Sequence, residues 1–182
     1  VATHNIRAAA ANVQQHPLLS YVAQWEPEEA NATWKAGTFV YWSSGLLATS
    51  VDPIDGSAED NSAAGLAIED GHNLASGALC KFIPAIGGVM FFANLMTGDG
   101  ANFTMDGDEL GEIHDLASKT GLYRTGVDDW FIDNASGVGG VVLVSFRNDN
   151  IIPNQVETRS VAGDVNARVG FVLTSAANGY YK

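Results

Sequence analysis

Two short apolar runs separated by a glycine-bearing break constrain this chain most. Gly37-Thr38-Phe39-Val40-Tyr41-Trp42 is rich in β-branched and aromatic residues, and Leu46-Leu47-Ala48-Thr49-Ser50-Val51 resumes the pattern after Ser43-Ser44-Gly45. Runs of this kind across so short a break read as a β-hairpin. More short runs follow: Ala63 to Asp70, Gly77 to Ile83, and Val89 to Met96, the most apolar of all. Each is too short for a stable helix, and Gly, Pro, Asp or Asn bounds it. Such a stretch, Ala36 to Met96, predicts a small antiparallel β-barrel or sandwich.

The rest of the chain is consistent with one compact domain. Its 182 residues suffice to bury a core. Only 16% are charged and 46% are hydrophobic, which argues against disorder. The 20 glycines follow no period and fit a turn-rich fold. Nine basic residues against 21 acidic ones give a net charge of -12, with no Lys/Arg cluster. That balance disfavours direct nucleic-acid binding, which needs a basic face, and favours a basic protein partner. The lone Cys80 rules out an intramolecular disulfide and a thiolate cage, and its neighbours Leu79 and Phe82 suggest a buried, inert thiol. No apolar run is long enough to span a bilayer as a helix, and no signal-peptide pattern is read. The start at Val1 suggests a removed initiator Met or other trimming.

Residues 1–34 read as an N-terminal arm and residues 35–182 as the β domain. A short helix is expected from Thr3 to Gln15, with Thr3 or Asn5 as its cap, Ile6, Ala10 and Val13 on one face, and His16-Pro17 as its stop. From Leu18 to Lys35 the chain carries Tyr21, Trp25 and Trp34 around the acidic Glu26-Pro27-Glu28-Glu29. Aromatics in so polar a segment act as anchors, on the core or on a partner. Further on, a helix from Asp108 to Ser118 competes with extended structure broken at Gly111. Strands are expected at Trp130-Phe131-Ile132, at Val141 to Phe146 and within Val165 to Thr174, with polar loops at Asn134 to Gly140 and Asn148 to Ala162. In the last strand Val165, Ala167, Val169 and Phe171 alternate with Asn166, Arg168 and Gly170. Phe39, Val40, Leu66, Ile68, Phe91, Val142, Val144, Val169 and Phe171 are the candidate β core.

Motifs that carry chemistry are few. Asp106, Asp108, Glu109 and Glu112 suggest calcium, but an EF-hand register starting at Asp106 places Leu110 at position 5 and Ala117 at position 12, where oxygen ligands belong. His4, His16, His72 and His114 form no H-E-x-x-H pair and no zinc spacing with Cys80. No G-x-S-x-G elbow is present. The glycines at Gly137, Gly139 and Gly140 precede a strand rather than a helix, so they read as a loop and not as a dinucleotide site. The sequons at Asn31, Asn102 and Asn134 matter only in a secreted chain. No catalytic, metal or cofactor site is expected.

The order of these features resembles the head-decoration, or cement, proteins of tailed bacteriophages. An arm precedes Gly37-Thr38-Phe39-Val40, and a second strand starts at Gly45-Leu46. Ala64-Gly65-Leu66-Ala67-Ile68-Glu69-Asp70 is the small-Gly-apolar segment ending in acid, and strands led by Gly77 and Val89 follow. Gly111-Glu112-Ile113, Gly121 to Asp128 and the closing Arg168-Val169-Gly170-Phe171-Val172 complete the likeness, from about Ala36 to Thr174. The resemblance implies a β-barrel or β-tulip, usually trimeric, with no catalytic residues. It also implies a place on the outer capsid surface, at subunit junctions of the major capsid protein. The longer, tryptophan-bearing N-terminal region and the Asn148-to-Ala162 loop depart from the family pattern. Ile6, Val13, Tyr21, Trp25 and Trp34 are the partner-binding candidates. Two other classes compete: a carbohydrate-binding β-sandwich stacking sugars on Trp25, Trp34, Trp42 or Trp130, and a hydrolase on a β scaffold.

Overall fold

The computed structural model describes residues 7–8, 23–58, 60–86, 89–135, 139–145 and 160–179. Among them are eleven strands and no helix. They are β1 (Arg7–Ala8), β2 (Gln24–Pro27), β3 (Phe39–Ser43), β4 (Leu46–Thr49), β5 (Gly65–Ala67), β6 (Leu79–Pro84), β7 (Phe91–Met96), β8 (Ile113–Thr120), β9 (Asp128–Asp133), β10 (Val141–Ser145) and β11 (Arg168–Leu173). The expectation of a mainly β fold is met. The predicted hairpin is β3–β4, paired from Val40↔Thr49 to Ser43↔Leu46. Its two turn residues, Ser44 and Gly45, both have positive φ (51° and 82°), the backbone of a turn whose twist matches the flanking strands.

One sheet closes on itself. Its order is β1-β7-β11-β10-β8-β9, and β9 returns to pair with β7. All its pairings are antiparallel except that closing one, where Leu95 faces Ile132 and Met96 faces Asp133 in parallel. Alternation along the strands places Phe91, Ala93, Leu95, Leu116, Ile132, Val141, Leu143, Val169 and Phe171 in one buried core. The seam between β8 and β10 is short, with Val141↔His114 and Val142↔Ile113. Beyond it Ile54 takes over as the partner of Leu116. Gly140 makes this handover possible, because a Cβ there would lie 1.8 Å from the Ile54 carbonyl oxygen.

The second sheet has the order β2-β6-β5-β3-β4. It curls until its edges meet, with Glu28 bridging Leu47 and the Glu29 N–H donating to the Leu47 carbonyl at 2.9 Å. Period-two alternation divides its strands between two cores. Phe39, Leu66 and Ile83 enter the large core, where the Phe39 ring packs edge-on against Phe91 and Trp130 with centroids 5.4 and 5.7 Å away. Val40, Ala67, Cys80 and Phe82 enter a smaller core with Trp34, Leu47 and the half-buried Trp42.

Several expectations are corrected. Arg7–Ala8, inside the expected N-terminal helix, is a strand paired with Phe91 and Phe92. The segment from Asp108 to Ser118 is no helix; Gly111 has φ 88°, and β8 runs from Ile113 to Thr120. Within the residues read as an arm, β2 and Trp34 belong to the second sheet and its core. Phe39, Val40, Leu66, Phe91, Val169 and Phe171 are buried as expected, whereas Val142 is half-buried and Ile68 and Val144 are exposed. The alternation in β11 fails because its other face is covered too: Arg168 is buried and its Nη1 donates to Asn94 Oδ1 at 3.2 Å.

Candidate functional site

Three surface features gather polar or exposed apolar side chains. The first is an open depression of about 330 Å³ beside β8 and β9, where Asp52, Asp99, Asp115 and Asp133 converge with Lys119 and Phe131. Asp115 and Asp133 face each other across adjacent strands, a pairing that like charges disfavour. Backbone N–H groups offset it. Asp133 Oδ1 accepts from Gly98 and Ala135 at 2.9 Å each, and Asp115 Oδ1 accepts from Gly139 at 3.1 Å. Asp52 Oδ1 accepts from Ser118 at 2.9 Å. Burial, with the charges of Asp128 and Asp133, still raises the Asp52 carboxyl above its ordinary range. Lys119 Nζ donates to the Asp99 carbonyl. Three of the four carboxylates therefore pin loops, and no histidine or cysteine lines the depression.

The second feature is the trio Asp106, Asp108 and Glu109, the one group among the described residues that brings three possible metal-ligating atoms within 4.8 Å of one another. Glu109 is buried and holds the loop, accepting the N–H groups of Asp106 and Gly107 at 2.9 Å each. A hydrogen bond between Asp106 and Asp108 lowers the first carboxyl and raises the second, as in a pair sharing a proton. The EF-hand register fails in space as well: Ala117 lies within β8.

The third feature is apolar and lies on the second sheet. Trp25 is 55% exposed, with Lys81 directly opposite on β6 and its Nζ 5.6 Å from the ring centroid. The Ile68 N–H donates to the Lys81 carbonyl, which aligns Ile68 with the same row. Leu79 stands two residues from Lys81, on the same face, and is 59% exposed. An indole, a cation and two aliphatic side chains thus form one outward row and its neighbour.

No family model, curated protein or solved structure matches this chain.

The partner-binding candidates fare differently. Ile6, Val13 and Tyr21 lie outside the described residues. Trp25 is on the surface, but Trp34 is not: it is 5% exposed and packs in the smaller core. Trp130 is buried in the large core and Trp42 packs edge-on against Phe82, so Trp25 is the one well-exposed tryptophan. Cys80 is buried beneath it all, and burial, with the charges of Glu69 and Glu28, pushes its thiol up to about 12. Sequence reading missed Ile68 and Leu79 as surface groups, because an apolar strand residue reads as core when the end of the covered face is unknown. It missed the carboxylate depression because its members come from four separate segments.

Proposed function

We propose that this protein is a structural component of a phage particle. It binds the outer capsid surface and stabilises the shell at subunit junctions, with the major capsid protein as its partner. The observation that carries the reading is the Trp25–Ile68–Leu79 surface on a rigid sheet. Aromatic anchors flanked by aliphatic groups dominate interface energetics, and a cement protein works by adding such an interface across a seam. The order of strands and glycines, which resembles that of head-decoration proteins, supports the same role. The loop-pinning duties of Asp52, Asp115, Asp133 and Glu109 support a non-enzymatic reading of the acidic groups. Assembly as a homotrimer on the shell belongs to this proposal.

Co-sedimentation with native-like shells tests it. Trp25→Ala should weaken attachment by roughly 2 kcal/mol, the scale of an interface anchor, while circular dichroism stays unchanged. Unaltered attachment by Trp25→Ala would remove the Trp25 surface from the proposal. Absence of any shell binding, with saccharide-dependent quenching of tryptophan fluorescence, would replace it with the carbohydrate-binding reading, which the single exposed indole also suits.

A further inference from the structure

The short β8–β10 seam of the closed sheet contains a histidine. His114 faces Val141 across it, and its side chain is only 5% exposed. Neither ring nitrogen has a hydrogen-bond partner among the described residues. Glu112 Oε2 lies 3.5 Å from Nε2, within ion-pair range but beyond that of a strong hydrogen bond. Among the described residues the seam is short, and the Gly139 N–H donates to Asp115 Oδ1 beside it at 3.1 Å. Two residue pairs span it, flanked by the Gly111 N–H to the Leu143 carbonyl and the Leu143 N–H to the Glu112 carbonyl.

We propose that His114 is an acid-sensitive latch, and that charging its ring loosens the β8–β10 seam and opens the closed sheet there. The idea stands apart from the docking reading. A neutral imidazole fits a buried site beside Val141, whereas an imidazolium there is desolvated and meets one carboxylate within ion-pair range, Glu112 at 3.5 Å, which is itself half in solvent. Among the described residues the charged groups that act on it are acidic: Glu112 and Asp115 on its own segment, Glu109 from the preceding loop and Asp133 from β9. Val141 is the residue that β10 places opposite it. Those carboxylates favour the cation, yet burial outweighs them and holds the ring below the ordinary histidine value of 6.5. The unfolded chain therefore takes up this proton more readily than the fold does. The seam's stability is complete above pH 6.5 and declines as pH falls below it. Free carboxylates titrate lower, near about pH 4, but Asp52, which holds the Ser118 amide of β8, and Asp108 are raised above that range, so the comparison with His114→Phe assigns the response to the histidine.

Hydrogen exchange of the full chain, corrected for intrinsic pH dependence and compared at about pH 7.5 and about pH 5.5, tests this. Protection of the Val141 to Leu143 and Ile113 to Asp115 amides should fall severalfold at the lower pH, while the β3–β4 hairpin holds. His114→Phe, which keeps an apolar ring, should remove that difference, and His72→Gln should retain it. Equal seam protection at both pH values would overturn the latch, as would a His114→Phe protein with the same acid response. If His114→Phe does not fold, the titration of the wild-type ring by NMR decides: a ring that charges above the ordinary histidine value overturns the proposal.

Discussion

The closed sheet and the curled sheet meet the problem of exposed strand edges in different ways. The first removes its edge by hydrogen-bonding β9 back to β7, and it encloses Trp130, Phe91, Ile132 and Phe171 with almost no exposure. The second joins its edges at the Glu28–Leu47 bridge and fills its smaller core with Trp34, Val40, Leu47 and Phe82. Hydrophobic stabilisation follows buried area, so the closed sheet carries most of it. The curled sheet carries the exposed Trp25 surface. Several links bind the halves, among them Leu66 and Ile83 in the large core and the Ala63–Asn178 bridge. Phe39 leaves the curled sheet for the large core, and Arg124, held by Asp129 through Nε at 2.7 Å, donates from Nη1 to the Ala36 carbonyl at 2.9 Å. The lesson is that a small β body can divide labour while Phe39, Leu66 and Ile83 tie one sheet into the core of the other.

That comparison breaks first at Phe39. Phe39→Ala should cost about 3–5 kcal/mol, the usual loss for a fully buried aromatic. Both halves should melt together in denaturant, and loss of structure confined to the hairpin would deny the ring its linking role. Next comes Asp129→Asn. The buried Asp129 carboxylate accepts the N–H groups of Tyr123 and Arg124 as well as Arg124 Nε. Because Arg124 is partly exposed, the loss is about 2 kcal/mol rather than the full cost of a stranded buried charge. Exchange of the Gly37 and Thr38 amides should rise with it. Phe82→Leu should cost about 1 kcal/mol and act on the small core alone. Cys80 reports this cleanly, since its buried thiol, raised to about 12, reacts with a thiol reagent only when that core opens. Faster labelling of Cys80 with unchanged Trp130 fluorescence would sharpen the division; equal changes in both would erase it. Smallest is Trp25→Ala, which should shift stability by no more than about 0.5 kcal/mol because the ring is mostly in solvent.

Much of this fold is legible locally. The β3–β4 hairpin announces itself in Ser44-Gly45, since a residue tolerant of positive φ is what the turn demands. The apolar runs at Phe91 and Val141 become strands for the same local reason. Arg7–Ala8 is not legible, because helix-favouring alanines say nothing of the open edge at Phe91 and Phe92 that pairs with this dipeptide. Ile113 to Ser118 misleads in the same way: its partners Val141, Ile54 and Trp130 arrive from distant segments. Of the candidate site, Trp25 is visible as an aromatic in polar surroundings. Trp34 looks the same in sequence and is buried, since only the curl of the second sheet creates the core that receives it.

The edge of β7 is filled in two instalments, by β1 at Phe91 and Phe92 and by β9 at Leu95 and Met96. The second belongs to the closed sheet, while the first depends on two residues near the beginning of the chain. Phe91 to Met96 reads Phe-Phe-Ala-Asn-Leu-Met, uncharged and without proline, the composition of a segment prone to cross-β stacking. Arg7–Ala8 thus acts as a cover strip over the half of that edge which closure leaves bare. Proteolytic trimming of the first eight residues should lower solubility before it lowers melting temperature, with fibril-reactive dye binding as the sign.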